Sequence, residues 1–127
     1  MAYQLDHYRL LGRSGLRVSP LSLGTMTFGV AAAWGCAQED ATKIFNQYIE
    51  RGGNFIDTAN FYAAGESERV VGDLIQGRRE QLAIATKYSL SMRPGDPNAS
   101  GNQRKNMVQS VENSLKRLQT DYIDLLY

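Results

Sequence analysis

The stretch of sequence that decides the fold is Gly52-Gly53-Asn54-Phe55-Ile56-Asp57-Thr58-Ala59, a glycine pair followed by a short apolar run that ends in polar residues. A glycine commonly ends a helix, and a short apolar run bounded by turn residues is typical of a buried strand. On either side, residues 38–51 and residues 67–76 place their apolar side chains on one helical face. A strand between two amphipathic helices predicts a parallel α/β sheet.

The same unit recurs along the chain. Four segments are predicted as strands: residues 21–26, 54–59, 82–87 and 122–127. A third helix, with Val108, Val111, Leu115 and Leu118 on one face, separates the last two strands. Strands that alternate with single helices pair in parallel through right-handed crossovers, so the predicted fold class is α/β. A β-hairpin is predicted before the first strand, with residues 8–11 and 16–19 flanking the turn Gly12-Arg13-Ser14-Gly15.

Two architectures fit this pattern, an open doubly wound sheet and a closed (β/α)8 barrel. A dinucleotide-binding doubly wound sheet needs Gly-x-Gly-x-x-Gly after its first strand, and residues 23–29 lack that spacing. A barrel needs eight strands and about 250 residues. The 127 residues hold four predicted strands, so we expect one partial domain over residues 1–127, corresponding to half of a (β/α)8 barrel.

Composition excludes several functional classes. The net charge of +1 provides no overall field to attract nucleic acid or an anionic membrane. Cys36 is the single cysteine, so no internal disulfide can form. His7 is the single histidine, and the sequence shows no metal-ligand spacing. Residues 1–8 contain no basic segment followed by an apolar stretch, and no run of about 18 apolar residues occurs. We therefore expect a cytoplasmic protein without a metal site.

The polar residues at the predicted strand ends are the candidates for chemistry, because parallel barrels place their working residues there. Three of them, Asp57, Tyr62 and Lys87, could meet. A lysine ammonium beside a phenol favours the phenolate, and a nearby carboxylate keeps that ammonium charged and oriented, which would make Tyr62 a general acid. Alternatively, Asp57 and Lys87 form a structural ion pair while Tyr62 packs under a loop. The residues alone leave both interpretations open.

A family resemblance favours the first interpretation. The segments Gly52–Tyr62, Gly65-Glu66-Ser67-Glu68 and Ala85-Thr86-Lys87 resemble the signature of the aldo-keto reductases. Residues 11–19 are similar to the hairpin that plugs the bottom of the barrel in that family, residues 23–29 to its first strand and loop, and residues 118–125 complete the match. The aryl-alcohol-dehydrogenase-like branch is the most similar. The resemblance implies the N-terminal half of a (β/α)8 barrel with a hairpin plug.

The resemblance also implies the roles of individual residues. Tyr62 would donate a proton to an aldehyde or ketone oxygen during reduction by NADPH, with Lys87 assisting and Asp57 paired with Lys87. The cofactor's nicotinamide end would lie along Gly24, Thr25, Met26 and Asp57. Trp34 would be a wall of the substrate pocket, although a Trp half-buried against its own loop is an equally open interpretation.

Other family features are missing from these 127 residues. In the family, the active-site His follows the fourth strand, at a position beyond Tyr127. The family binds the cofactor phosphates mainly with the last two strands of the barrel and their loops. We therefore expect this chain alone to be nearly inactive and to self-associate through its open sheet edges. An NADPH-binding sensor subunit with little turnover is the alternative function. Glu66 and Glu68 are interpreted as acids at a helix start, and Arg78-Arg79 as solvated.

Overall fold

The computed structural model describes residues 4–127; residues 1–3, the first residues of the predicted domain, lie outside the described residues. The strands, in chain order, are β1 (Arg9–Leu10), β2 (Arg17–Val18), β3 (Leu23–Gly24), β4 (Phe55–Asp57), β5 (Ala83–Thr86) and β6 (Leu125–Leu126). The helices are α1 (Gln38–Glu50), α2 (Glu66–Leu74) and α3 (Arg104–Leu118). No helix among residues 4–127 has the length and apolar character needed to cross a membrane.

The main sheet confirms the predicted α/β class. Its strand order is β3-β4-β5-β6, and every neighbouring pair is parallel. The strands are shorter than predicted, because residues at both ends of each predicted segment lie outside the ladder. β3 and β6 pair on one side only, and each keeps two ladder residues.

The two faces of the sheet are covered by different elements, as the alternation of side chains along a strand requires. Ile56 and Ile84 point to the helical side and are fully buried there, in one apolar cluster with residues of all three helices. Phe55, Ala83 and Ala85 point to the other side, where they pack with Val18 of the hairpin.

The hairpin β1–β2 is tied to the amino-terminal end of the sheet by polar contacts. The Ser19 amide donates to the side-chain oxygen of Asn54 at 2.7 Å, and the Asn54 side chain donates to the carbonyl of Arg17 at 3.0 Å. The Tyr48 hydroxyl lies 2.6 Å from the Ser19 hydroxyl and accepts from the Phe55 amide at 3.1 Å. Burial raises the pKa of Tyr48 above its ordinary value, against its hydrogen bonds. The hairpin therefore closes the bottom of the half barrel.

Arg79 is not solvated as expected, whereas Glu68 lies in the first turn of α2 as expected but makes further contacts. The Arg79 side chain is only 12% exposed: it donates to Asp124 at 2.8 Å and lies 3.7 Å from the centre of the Tyr122 ring. Glu68 is fully buried, and accepts from Arg117 Nε and from the Thr86 hydroxyl, each at 2.6 Å. Both side chains therefore bind neighbouring elements instead of facing water, and Glu68 joins α2 to α3 and β5.

Candidate active site

The carboxyl ends of β4 and β5 place Asp57 and Lys87 on the inner face of the sheet, which is the face that packs against the hairpin. Asp57 follows Phe55 by two residues and Lys87 follows Ala85 by two, so both side chains continue the inner row. Asp57 is paired with Ala85 in the register of the two strands. The parallel register therefore brings Asp57 and Lys87 together at one end of the sheet.

Lys87 is the centre of a polar cluster. Its ammonium donates to both carboxylate oxygens of Asp57 at 2.8 Å, to the carbonyl of Thr58 at 2.9 Å and to the hydroxyl of Tyr62 at 3.1 Å. The side chain of Lys87 is 34% exposed and that of Asp57 is 25% exposed. The three predicted catalytic residues are thus in direct contact, at a place that solvent still reaches.

The surroundings of Lys87 favour its charged form. Partial burial by itself lowers the pKa of Lys87, but the hydrogen bonds and charges of Asp57 and Tyr62 outweigh burial and raise the pKa above its ordinary value. The ammonium therefore stays charged throughout the neutral range. Its positive charge lies where it stabilises negative charge on the Tyr62 oxygen.

Tyr62 is held by an unusual backbone turn. The short helical turn Tyr62–Gly65 contains Ala63 at φ 48° and Ala64 at φ 54°, followed by Gly65 at φ 91°. Left-handed backbone is unfavourable for alanine, so the neighbouring structure must impose it. The turn leads from the end of β4 into the first residue of α2, and so fixes the place of Tyr62 between two rigid elements.

An apolar cavity of about 670 Å³ lies next to Tyr62. Its wall on the β3 side includes Met26 and Trp34, and its other walls include Phe61, Leu90 and Met92. Trp34 is 58% exposed and lines this cavity together with Ala31 and Ala32 of its own loop. Asp57 and Lys87 do not line the cavity, so Tyr62 is the residue of the cluster that does. Sequence reasoning missed the wall residues of the 88–94 segment, which carries no regular hydrophobic period.

The predicted cofactor residues after β3 differ in their exposure. Gly24 is exposed with open space beside it, and Met26 is 49% exposed. Thr25 is fully buried, and its hydroxyl contacts the Ser67 hydroxyl at 3.0 Å and the Asp57 carbonyl at 3.1 Å. The Thr25 side chain therefore links the end of β3 to α2 and β4. In residues 4–127, no cluster of three or more potential metal ligands occurs.

Comparisons with known proteins are consistent with this geometry. The sequence pattern of the aldo/keto reductase family matches residues 20–127. The chain is 48% identical to norsolorinic acid reductase B of Dothistroma septosporum, a match that covers 95% of this chain and 34% of that protein. It is 44% identical to an aryl-alcohol dehydrogenase of Pestalotiopsis microspora, over 97% of this chain and 35% of that protein.

Solved structures give the same result. The aldo-keto reductase AKR11C1 from Bacillus halodurans, solved in its holo form, superposes with a TM-score of 0.81 at 36% identity, over 94% of this chain and 38% of that chain. The chain spans about a third of the length of the curated relatives named above. These partial matches agree with the predicted N-terminal half of a (β/α)8 barrel.

Proposed function

The chain belongs to the aldo/keto reductase family, and on that premise we propose that the protein is an NADPH-dependent oxidoreductase that reduces aldehydes or ketones to alcohols. The observation that supports this proposal most directly is the contact of the Lys87 ammonium with the hydroxyl of Tyr62, a residue that lines an apolar cavity. A hydroxyl held in this way has a proton to give and a neighbouring charge that stabilises the oxygen left behind.

Each residue of the cluster has one task in the proposed reaction. Tyr62 donates its proton to the carbonyl oxygen of a substrate in the cavity, and the Lys87 ammonium stabilises the phenolate that results. Asp57 accepts hydrogen bonds from Lys87 with both carboxylate oxygens and so keeps the ammonium charged and oriented. When bound, NADPH supplies the hydride that the carbonyl carbon accepts. Hydride and proton together convert the carbonyl into an alcohol.

The residues at the carboxyl end of β3 and β4 fit the nicotinamide end of such a cofactor. Gly24 and Met26 are exposed there, and a quarter of the Asp57 side chain is accessible beside them. The residues that line the cavity include no basic side chain that could neutralise a phosphate. The chain can therefore contact the nicotinamide ring and its ribose, but the cavity lining contains no group that would bind the cofactor phosphates.

The cavity walls indicate the substrate class. Trp34, Phe61, Leu90 and Met92 present apolar surface, and the lining includes no side chain charged at neutral pH. A flat, uncharged aromatic carbonyl compound suits such walls better than a carboxylate or a sugar aldehyde, whose polar groups would lose water without compensation. The names of the relatives, a norsolorinic acid reductase and an aryl-alcohol dehydrogenase, support the same class.

The proposal is tested with the protein expressed from its full reading frame. We expect NADPH oxidation with neutral aromatic aldehydes or ketones, and a kcat/KM at least about tenfold lower for carboxylated or sugar aldehydes, a difference of about 1.4 kcal/mol. NADPH binding without turnover over the whole panel would contradict the proposal and favour a sensor subunit. Turnover with NADH alone would contradict the cofactor assignment.

The 127 residues alone should not carry the activity. Within the described chain, β3 and β6 are open edges, and unpaired edges tend to find another strand. We propose that this chain alone self-associates through these edges and binds NADPH weakly, and that the protein acts in the cytoplasm. Size-exclusion chromatography combined with NADPH titration tests the first point: a monomer that binds NADPH at micromolar concentration contradicts it.

A further inference from the structure

The loop between β3 and α1 forms one wall of the cavity. We call residues 29–36 the wall loop. Its base is closed by two backbone hydrogen bonds, from the Gly29 amide to the Cys36 carbonyl at 3.1 Å and from the Cys36 amide to the Thr27 carbonyl at 2.8 Å. Ala31, Ala32 and Trp34 of this loop line the cavity. The tip of the wall loop thus faces the cavity while its base is fixed by hydrogen bonds.

One side chain from another element holds the tip of the wall loop. The Glu66 carboxylate accepts a hydrogen bond from the Ala31 amide at 2.8 Å. Its stem packs against Gly29, where an added Cβ would lie 2.9 Å from Cγ, Cδ and Oε2 of Glu66. Gly29 also has φ 114°, which favours glycine. Glu66 and Gly29 therefore fit closely, and the contact leaves no room for a side chain at position 29.

Glu66 lies in a position that connects both walls of the cavity. It is the first residue of α2 and directly follows the turn Tyr62–Gly65, of which Tyr62, Ala63 and Ala64 form another part of the cavity wall. Its carboxylate reaches Ala31 on the wall loop. One side chain thus links the wall that carries Trp34 to the wall that carries Tyr62.

We propose that Glu66 is a positioning residue that sets the spacing between Trp34 and Tyr62 and thereby the selectivity for large aromatic carbonyl compounds. A favourable place for an acid in the first turn of a helix does not explain the contact, because the carboxylate accepts from an amide of a different loop. The consequence for selectivity rests on the proposed function, whereas the link to the wall loop does not.

Amide hydrogen exchange tests the link without any assay of activity. In the protein expressed from its full reading frame, Glu66→Ala should speed exchange at Ala31 about tenfold, because a hydrogen bond to a charged group is lost. Glu66→Gln, which keeps an acceptor oxygen at the same distance, should restore most of the protection. Glu39→Ala is the matched control, since it also removes an acid from the first turn of a helix. Unchanged exchange at Ala31 in Glu66→Ala overturns the proposal.

Steady-state kinetics test the effect on selectivity. Glu66→Ala should raise KM about fivefold for a two-ring aromatic aldehyde, as expected for one lost positioning contact, and leave kcat with a small aliphatic aldehyde unchanged. Equal loss of kcat for both substrates would mean that Glu66 has a general structural role, and would overturn the assignment to selectivity. Faster exchange in a protein that reduces no carbonyl compound would contradict the proposed function and leave the link intact.

Discussion

Lys87 places its ammonium 2.8 Å from both carboxylate oxygens of Asp57, across the pairing of two parallel strands. The side chains of Lys87 and Asp57 are 34% and 25% exposed, so the pair is intermediate in burial between a surface ion pair and a buried one. The ammonium also donates to the hydroxyl of Tyr62, a residue that lines the cavity. The same contact is therefore both a strand-to-strand link and part of the proposed catalytic apparatus.

Asp57→Asn should lower both stability and activity. The substitution removes the countercharge of Lys87, and a charged hydrogen bond of this kind contributes about 1–3 kcal/mol to the free energy of unfolding. With Lys87 less well oriented, kcat should fall by about tenfold or more. Urea unfolding and NADPH oxidation measure the two effects. Asp96→Asn, which breaks an exposed pair with Arg93, is the control and should leave both unchanged. A fully active Asp57→Asn protein would contradict the role of the pair.

The pH dependence of stability should reveal Lys87 only in alkaline solution. A raised pKa in the folded state means that the folded chain holds the lysine proton more tightly than the unfolded chain. The contribution of Lys87 is therefore fully present below the unfolded lysine pKa of about 10.4 and is lost as pH rises through the higher folded value. Urea unfolding of the native protein and of Lys87→Gln at a series of pH values measures this: the difference should shrink only above about pH 10.4. A difference that disappears near neutral pH would contradict it.

The buried pair of Glu68 and Arg117 should be the most sensitive ionic contact in the chain. Arg117→Met leaves the fully buried Glu68 carboxylate with the Thr86 hydroxyl as its remaining partner, and breaking such a pair costs about 3–5 kcal/mol. Replacing both residues, as in Glu68→Gln with Arg117→Met, should recover part of that loss. Lys43→Met, which breaks an exposed pair on α1, is the control. A small loss in Arg117→Met, comparable to that of the control, would show that the pair is not effectively buried.

Ala63→Gly should stabilise the protein. Alanine in left-handed backbone costs about 1–2 kcal/mol, and glycine avoids that cost at the expense of about 0.5–1 kcal/mol of extra chain entropy, so the net gain should be about 0.5–1 kcal/mol. Thermal or urea unfolding measures it. Ala33→Gly, at a residue without positive φ, should be destabilising instead. A loss of stability in Ala63→Gly would show that the turn is not strained.

The sequence predicted the parallel sheet and the meeting of Asp57 with Lys87 because both follow from local periods. An amphipathic helix between two strands dictates a parallel crossover, and a two-residue period then places Asp57 and Lys87 on the same face. The roles of these residues and of Tyr62 stay predictions, since no ligand contact tests them. The contact of Glu68 with Arg117 spans 49 positions of sequence, and no local pattern reports such a contact.

The sequence identifies Tyr62 as a candidate residue but does not predict where the folded chain places it. The turn that holds it uses Ala63 and Ala64 in a backbone region that alanine disfavours, so residue preferences point away from it. The wall residues Leu90 and Met92 lie in a long irregular segment, and only the folded chain brings them to the cavity. The burial of Thr25 likewise depends on Ser67, which packs onto it from α2.

The assignment of Tyr62 as the proton donor is tested most directly by the rate at which a Tyr62→Phe variant of the protein, expressed from its full reading frame, reduces a carbonyl compound. Loss of the hydroxyl removes the proposed proton donor, so kcat should fall about 10²–10⁴-fold while NADPH affinity and the free energy of unfolding change little. Tyr8→Phe, which removes a hydroxyl that donates to the Gly52 carbonyl at the opposite end of the sheet, should keep the full rate. A Tyr62→Phe protein that reduces the same aldehyde at the native rate would contradict the assignment of Tyr62 as the acid.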